Sequence, residues 1–82
     1  MSTSRSKLHI SKLEEFAAFC EKHGWFRVEL KSPFEVLRMR NFEMRDPLIV
    51  YKKLAATEHL TTHGEAMLMT KLYIKARKAG FV

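Results

Sequence analysis

The sequence predicts a small α+β domain: a short antiparallel sheet with two helices packed on one of its faces. Three observations support this fold class. Apolar residues recur with a helical period near both ends of the chain, apolar and polar residues alternate in its middle, and 82 residues are enough for only one modest core. We therefore expect a single domain over residues 1–82 with the element order α-β-β-β-(β)-α.

Residues 11–23 are expected to form the first helix. Ser11 and Glu14 have the spacing of a capping box, in which each side chain satisfies a free amide at the helix start. Gly24 suits the left-handed residue that ends a helix. About residues 1–8 are expected to be a disordered arm. The apolar face of the helix follows the expected spacing: Leu13, Phe16, Ala17 and Cys20.

Three strands and a short fourth strand are expected next. WFRVELK (25–31) alternates, which places Phe26, Val28 and Leu30 on the core side and the charged residues outside. FEVLRMR (34–40) follows the turn signal Ser-Pro and alternates less regularly, because Val36 falls on the arginine side. The remaining strands are LIVYKKL (48–54), which is rich in β-branched residues, and EHLTTH (58–63).

The second helix is expected over about residues 65–79, between Gly64 and Gly80. Its predicted apolar face repeats at i, i+4, i+8 and i+11, and Met69 and Tyr73 widen it. That face consists of Leu68, Leu72, Ala76 and Ala79.

The charge of the chain favours an anionic partner. Lys and Arg outnumber Asp and Glu by 15 to 9, a formal net charge of +6, which suits nucleic acid, an anionic membrane surface or an acidic protein. Cys20 is the only cysteine, so no internal disulfide can form and a reducing, cytoplasmic location fits best. No apolar run approaches a membrane span or a secretory signal, and we expect no membrane partner.

The basic residues of the predicted sheet are the first candidate site. Arg27, Arg38 and Arg40 alternate with core residues and are expected to share an outward face. Arginine binds phosphate and carboxylate in a planar, bidentate manner. The alternative is a solvated face whose charges discourage edge pairing. Lys52 and Lys53 would extend this basic surface, and Phe34 or Tyr51 would supply an aromatic anchor for the partner.

A lysine stripe on the second helix is the second candidate. Lys71, Lys75 and Lys78 recur on one face, as they would on a helix that follows a phosphate backbone. The alternative, which we favour, is that cations late in a helix stabilise its dipole.

Catalytic and metal chemistry find little support in the sequence. His59 and His63 are four residues apart but fall on a strand or turn, where their side chains would not converge on a metal. Cys20 lies on an apolar helix face and is interpreted as a core residue. We therefore expect a protein without enzymatic activity, without a cofactor and without a metal.

Three predicted strand segments and the final helix follow one another in an order that resembles a known class of small proteins. The segments are FEVLRMR (34–40), LIVYKK (48–53) and HLTT (59–62), and the succession covers about residues 34–79. It resembles small orphan proteins of bacteriophages and prophages. That resemblance implies an accessory protein that binds and redirects host machinery, as anti-CRISPR and other anti-defence inhibitors do. The class has no shared active residues to carry over.

The expected function is inhibition or modulation of a host nucleoprotein machine through the basic sheet face. The first alternative is a small regulator that binds DNA or RNA directly. A further alternative is a structural or self-assembling phage component. The partner would be a host protein or nucleoprotein complex, or nucleic acid itself, and a homodimer remains open.

Overall fold

The computed structural model describes residues 8–52 and 58–81. Five strands and two α-helices follow one another along the chain, with a single 3₁₀ turn at Ile10–Lys12 before the first helix. The elements are β1 (Leu8–His9), α1 (Leu13–Lys22), β2 (Trp25–Arg27), β3 (Glu35–Asn41), β4 (Leu48–Tyr51), β5 (His59–Gly64) and α2 (Glu65–Lys78).

The strands form one antiparallel sheet with the order β1-β5-β4-β3-β2. Four of them follow each other as a meander, and β1 adds to the far edge by pairing with β5. Both helices pack on the same face of the sheet, where their apolar side chains meet those of β3, β4 and β5 in one core. The predicted α+β fold is therefore confirmed.

Strand β1 was not expected. Leu8, which the sequence placed at the end of a disordered arm, is buried in the core and lies opposite Leu60 of β5. Burial of the leucine side chain and the backbone pairing with β5 together offset the conformational entropy that the chain loses by being ordered there. The preceding residues of the predicted arm, 1–7, lie outside the described part of the chain.

The start of α1 differs from the predicted capping box. The Ser11 hydroxyl lies 2.8 Å from Nδ1 of His9, and the His9 ring accepts a bond from the Ser11 amide. Glu14 instead accepts a bond from Arg27 on β2. A 3₁₀ turn occupies the first residues of the expected helix, so α1 begins two residues late and Lys12 precedes it without a side-chain cap.

The faces of β2 are the reverse of those predicted, and the strand ends at Arg27. Trp25 is buried in the core, whereas Phe26 is exposed. Because side chains alternate along a strand, burying the larger indole forces Phe26 to the opposite face. Arg27 then points to the helices. It lies opposite the buried Met39 in the register and contacts α1.

Strand β3 contains a bulge that explains its imperfect alternation. Glu35 pairs with Tyr51 and Leu37 pairs with Val50, so Val36 is the extra residue. A bulge lets two successive side chains point toward the same face. Val36 consequently packs against the core beside Leu37, although simple alternation placed it on the arginine side.

Helix α2 buries a face that overlaps only partly with the predicted one. Met69 and Tyr73, expected at the margin of that face, are buried, whereas Leu68 and Leu72 remain exposed, so the buried face is shifted by about a third of a turn. Gly64 joins β5 directly to α2 and sets the angle between them, which decides the buried face. The residues in the core are Ala66, Met69, Thr70 and Tyr73.

Candidate binding surface

The face of the sheet that points away from α1 and α2 carries polar, basic and aromatic side chains. Cross-strand partners share a face, so the register of the strands identifies its members. We call this surface the outer face. Within residues 8–52 and 58–81 it comprises His9, Phe26, Glu35, Arg38, Arg40, Ile49, Tyr51, His59, Thr61 and His63.

One of the predicted arginines on the outer face is already paired. Nε of Arg38 donates to Oε1 of Glu35 at 2.9 Å, and its NH2 group donates to Oε2 at 3.0 Å. The Glu35 side chain is only 3% exposed. The bidentate bonds from Arg38, followed by the bond from the Lys31 amide, hold the pKa of Glu35 below its ordinary value against the effect of burial. Arg38 therefore stabilises a buried carboxylate.

Side chains in the middle of the outer face pack against one another across the strands. Ile49 lies between Arg38 and His63 in the register and is only 6% exposed, so the side chains around it cover it. The rings of Tyr51 and His63 are 6.2 Å apart in an edge arrangement. This part of the face is a packed layer and offers little free apolar surface.

The β2–β3 end of the outer face is different. Phe26 lies directly opposite Arg40, and its ring centroid is 5.0 Å from that of Phe42 at an interplanar angle of 36°. Phe42 is 93% exposed. Arg40 has no acidic partner among the described residues. We call these three residues the Phe26–Arg40–Phe42 cluster; it combines an unpaired cation with two aromatic rings in contact with water.

The sheet does not bring the three predicted arginines together. Arg27 lies on the helical side, where its NH2 group donates to Glu14 at 2.7 Å and its Nε is 3.7 Å from Glu21. The bond from Arg27 and its charge lower the pKa of Glu14. The expectation that Arg27 shares a face with Arg38 and Arg40 is wrong, because β2 turned its other side to the core.

The remaining predicted residues are dispersed. Phe34 is exposed in the turn before β3, and its carbonyl accepts a 2.8 Å bond from the amide of Lys52 at the end of β4. Lys53 lies outside the described residues. The lysine stripe of α2 lies on the helical side of the sheet and cannot act together with the outer face. Its three residues are exposed: Lys71, Lys75 and Lys78.

Two residues of the cluster escaped the prediction from sequence, Phe26 and Phe42. Phe42 stands in the polar segment NFEMRD between two strands, and an isolated aromatic in such a connection is a signal of exposure. Phe26 is adjacent to Trp25, and strict alternation allows only one of two neighbouring aromatics to enter the core. The sequence showed that Trp25 and Phe26 could not both enter the core, but it did not show which of the two would be buried.

Other kinds of site find no support in the described residues. Residues 8–52 and 58–81 contain no group of three His, Cys, Asp or Glu side chains placed to hold a metal ion. Over the same residues, neither helix is long and apolar enough to cross a membrane. Cys20 is buried in the core, where burial raises the pKa of its thiol to about 12 and keeps the reactive thiolate scarce.

The Phe26–Arg40–Phe42 cluster can make apolar contacts and charge-assisted hydrogen bonds at the same spot. Comparison with protein-family models, with curated proteins and with solved structures found no match to this chain.

Proposed function

We propose that this chain is a non-enzymatic cytoplasmic protein that binds a host nucleoprotein machine and inhibits or modulates it. The Phe26–Arg40–Phe42 cluster would be the centre of the contact. Phe34 and Tyr51 lie at the opposite end of β3 and are outside this centre. The exposed aromatic pair beside an unpaired arginine is the observation that carries this proposal.

The composition of the cluster favours a protein partner over a phosphate backbone. Aromatic residues and arginine dominate the energetic centres of protein interfaces, while lysine is depleted there. Binding along a phosphate backbone needs several free cations in a row. On the outer face Arg38 is engaged by Glu35, and Arg27 lies elsewhere, so Arg40 is the free arginine there among the described residues.

The kind of machine is proposed from the resemblance of residues 34–79 to phage and prophage accessory proteins. That resemblance supports an inhibitor or modulator of host machinery, of the anti-CRISPR or anti-defence kind. The surplus of positive charge, +6 over the chain, supports an acidic partner surface and speeds its association.

Direct binding of single-stranded nucleic acid is the second candidate. Exposed aromatic rings on a sheet face can stack with bases, and stacking accepts any sequence. Phe26 and Phe42 are both exposed with their rings in contact, and Arg40 lies opposite Phe26 in the register. This candidate requires less charge than double-stranded binding does.

A charge-reversed cluster variant tests the proposal. Arg40→Glu combined with Phe42→Ser alters the cluster but touches neither the core nor the Glu35–Arg38 pair. The matched control, Lys78→Glu combined with Leu68→Ser, also reverses one positive charge and replaces one exposed apolar side chain by serine, but on the exposed side of α2. We expect immobilised wild-type protein and the control to retain the same nucleoprotein partner from bacterial lysate, and the cluster variant to lose it.

Two further measurements separate the candidates. If the partner is retained after nuclease treatment, the contact is with protein. If labelled single-stranded oligonucleotides bind with submicromolar affinity at about 150 mM salt, where only close charges interact, the second candidate replaces the first. Equal retention of the partner by the cluster variant would contradict both.

A further inference from the structure

A second surface lies on the opposite side of the molecule, in a groove between α1 and α2. The two helices run antiparallel: Glu15 near the start of α1 contacts Arg77 near the end of α2, and Phe19 contacts Tyr73 one turn further along. The groove between their exposed sides has a volume of about 810 Å³. It belongs to the helical layer and is independent of the outer face.

The groove has small residues at its base and large apolar residues along its walls. Ala18 and Ala76 leave the helix backbones accessible, while Phe19, Leu72 and Phe81 line the sides. Leu72 is 48% exposed and Phe81 is 81% exposed. Apolar side chains with this much exposure, gathered at one groove, mark an interaction surface more often than isolated ones do.

Phe81 is held at the groove by its backbone. Gly80 has a positive φ of 82°, its amide donates to the carbonyl of Arg77, and the Phe81 amide donates to the carbonyl of Ala76 at 2.9 Å. These are the two bonds of a Schellman motif, which ends a helix in a defined direction. Two backbone hydrogen bonds therefore fix the position of an aromatic residue that is exposed to water.

The charges around the groove are predominantly positive. Lys22 and Lys75 lie on its two sides, and His23 lies at the end of α1. The acidic residue of the lining, Glu15, is neutralised by Arg77, whose NH1 group lies 2.6 and 2.7 Å from the two carboxylate oxygens. An occupant with an apolar stripe and flanking carboxylates would match both the walls and the rim.

The dimensions match a helix. The lining of α1 extends from Glu15 to His23, eight residues along the axis, which is about 12 Å. Apolar residues at i, i+4 and i+7 of a partner helix span about 10.5 Å, and small residues in the groove let its backbone approach. The groove leaves Leu72 and Phe81 largely exposed, whereas pockets for small molecules enclose most of the ligand surface.

We propose that the α1–α2 groove binds an acidic amphipathic helix of a protein partner. Helix-in-groove recognition uses this combination of an apolar stripe and complementary rim charges. Two other occupants fit the charge poorly. A second copy of the chain would bring its own positive rim against Lys22 and Lys75. The chain's own residues 1–7 carry Arg5 and Lys7 and no acidic residue.

A pair of synthetic peptides and a pair of variants test this proposal. The probe is a 15-residue helical peptide with leucine at i, i+4, i+7 and i+11 and glutamate on both flanks; its twin carries lysine in place of glutamate. Leu72→Glu places a carboxylate in the groove. Leu68→Glu, one turn away on the same helix and 57% exposed, is the matched control because Leu68 does not line the groove.

We expect the glutamate peptide to shift the backbone amide resonances of Ala18, Leu72 and Ala76 in two-dimensional NMR spectra. The Kd should rise at least tenfold in Leu72→Glu and stay within twofold in Leu68→Glu, and the lysine twin should bind at least tenfold more weakly.

Four results would overturn the proposal. The first is no shift at 1 mM peptide, and the second is shifts confined to the outer face. The third is equal binding of the two peptides, or equal weakening in the two variants. The fourth is another occupant: a dimer of the wild-type chain that Leu72→Glu dissociates in sedimentation experiments, or laurate binding in the groove where the peptide does not bind.

Discussion

At the scale of single residues, the outer face shows why a count of charges misjudges a surface. Arg38 and Arg40 are two residues apart on the same strand and the same face, yet they do different things. Arg38 satisfies both oxygens of a buried carboxylate, whereas Arg40 has no acidic partner in the described part of the chain. The first belongs to the fold, and the second is available to a partner.

This difference predicts a pH-dependent effect of Arg38→Ala on stability. At pH 7 the substitution leaves the Glu35 carboxylate without its charged donor and should lower the free energy of unfolding by about 2 kcal/mol. The folded pKa of Glu35 lies below its ordinary value of 4.5. The stabilisation is therefore complete above that value and disappears as pH falls through the folded pKa. Urea unfolding at pH 7 and pH 3 should show a smaller loss at pH 3.

Arg40→Ala is the control for this measurement. It removes the same charge from the same strand, and should change the free energy of unfolding by less than about 0.5 kcal/mol at either pH. A loss for Arg38→Ala that is equally large at pH 3 would show that the aliphatic part of the arginine, and not its bond to Glu35, stabilises the sheet.

At the scale of elements, the junction between β5 and α2 leaves the least space for a side chain among the glycine positions. Gly64 is the last residue of the strand and directly precedes the helix, with a φ of +66°. A Cβ atom there would lie 2.7 Å from the carbonyl oxygen of Pro47, the residue that directly precedes β4. The backbone conformation and the close approach both require glycine. This junction sets the orientation of α2 relative to the sheet. That orientation decides which face of α2 enters the core.

The junction predicts a large difference between two glycine substitutions. Gly64→Ala meets both the positive φ and the clash with Pro47, and should lower the free energy of unfolding by about 3 kcal/mol. Gly80→Ala also has a positive φ, but nothing lies within 4 Å of its added Cβ, so about 1 kcal/mol is expected. Thermal and urea unfolding of the two variants should separate the clash from the conformational strain. Equal losses would mean that the backbone at Pro47 moves aside at no cost.

At the scale of the whole molecule, the sheet is completed by residues far apart in sequence. Strand β1 contributes only Leu8 and His9, yet it joins the start of the described chain to β5, some fifty residues later. Leu8 lies against Leu60 in the same core that α1 and α2 cover. The core is thus shared by both ends of the chain, and its formation links them.

Leu8→Ala should accordingly destabilise the entire fold. Removing a fully buried leucine side chain is expected to lower the free energy of unfolding by about 3 kcal/mol, which urea unfolding followed by circular dichroism would measure. Ile10→Ala, two residues later and exposed, should cost less than about 1 kcal/mol. If the two substitutions have the same small effect, β1 contributes nothing to the core and residue 8 belongs to an arm, as the sequence first indicated.

Much of the fold could be predicted because it depends on local patterns. The buried residues of α1 and the inward Leu37 and Met39 of β3 follow from helical and two-residue periods. The candidate surface was predicted less well. Arg40 and Tyr51 are on the outer face as expected, but Arg27 is not, and Phe26 and Phe42 were missed. Each of these errors depends on which side of an element faces the core.

The sequence by itself determined the class of fold, the approximate position of each helix and of four strands, and the surplus of positive charge, because periodicity, turn residues and charge are properties of neighbours along the chain. Only the tertiary structure decided which faces were buried. Trp25 and Phe26 competed for one position, the bulge at Val36 shifted a side chain, and Gly64 set the angle of α2. Such choices depend on packing between distant segments, and they determine which arginine and which aromatic residues remain free to bind.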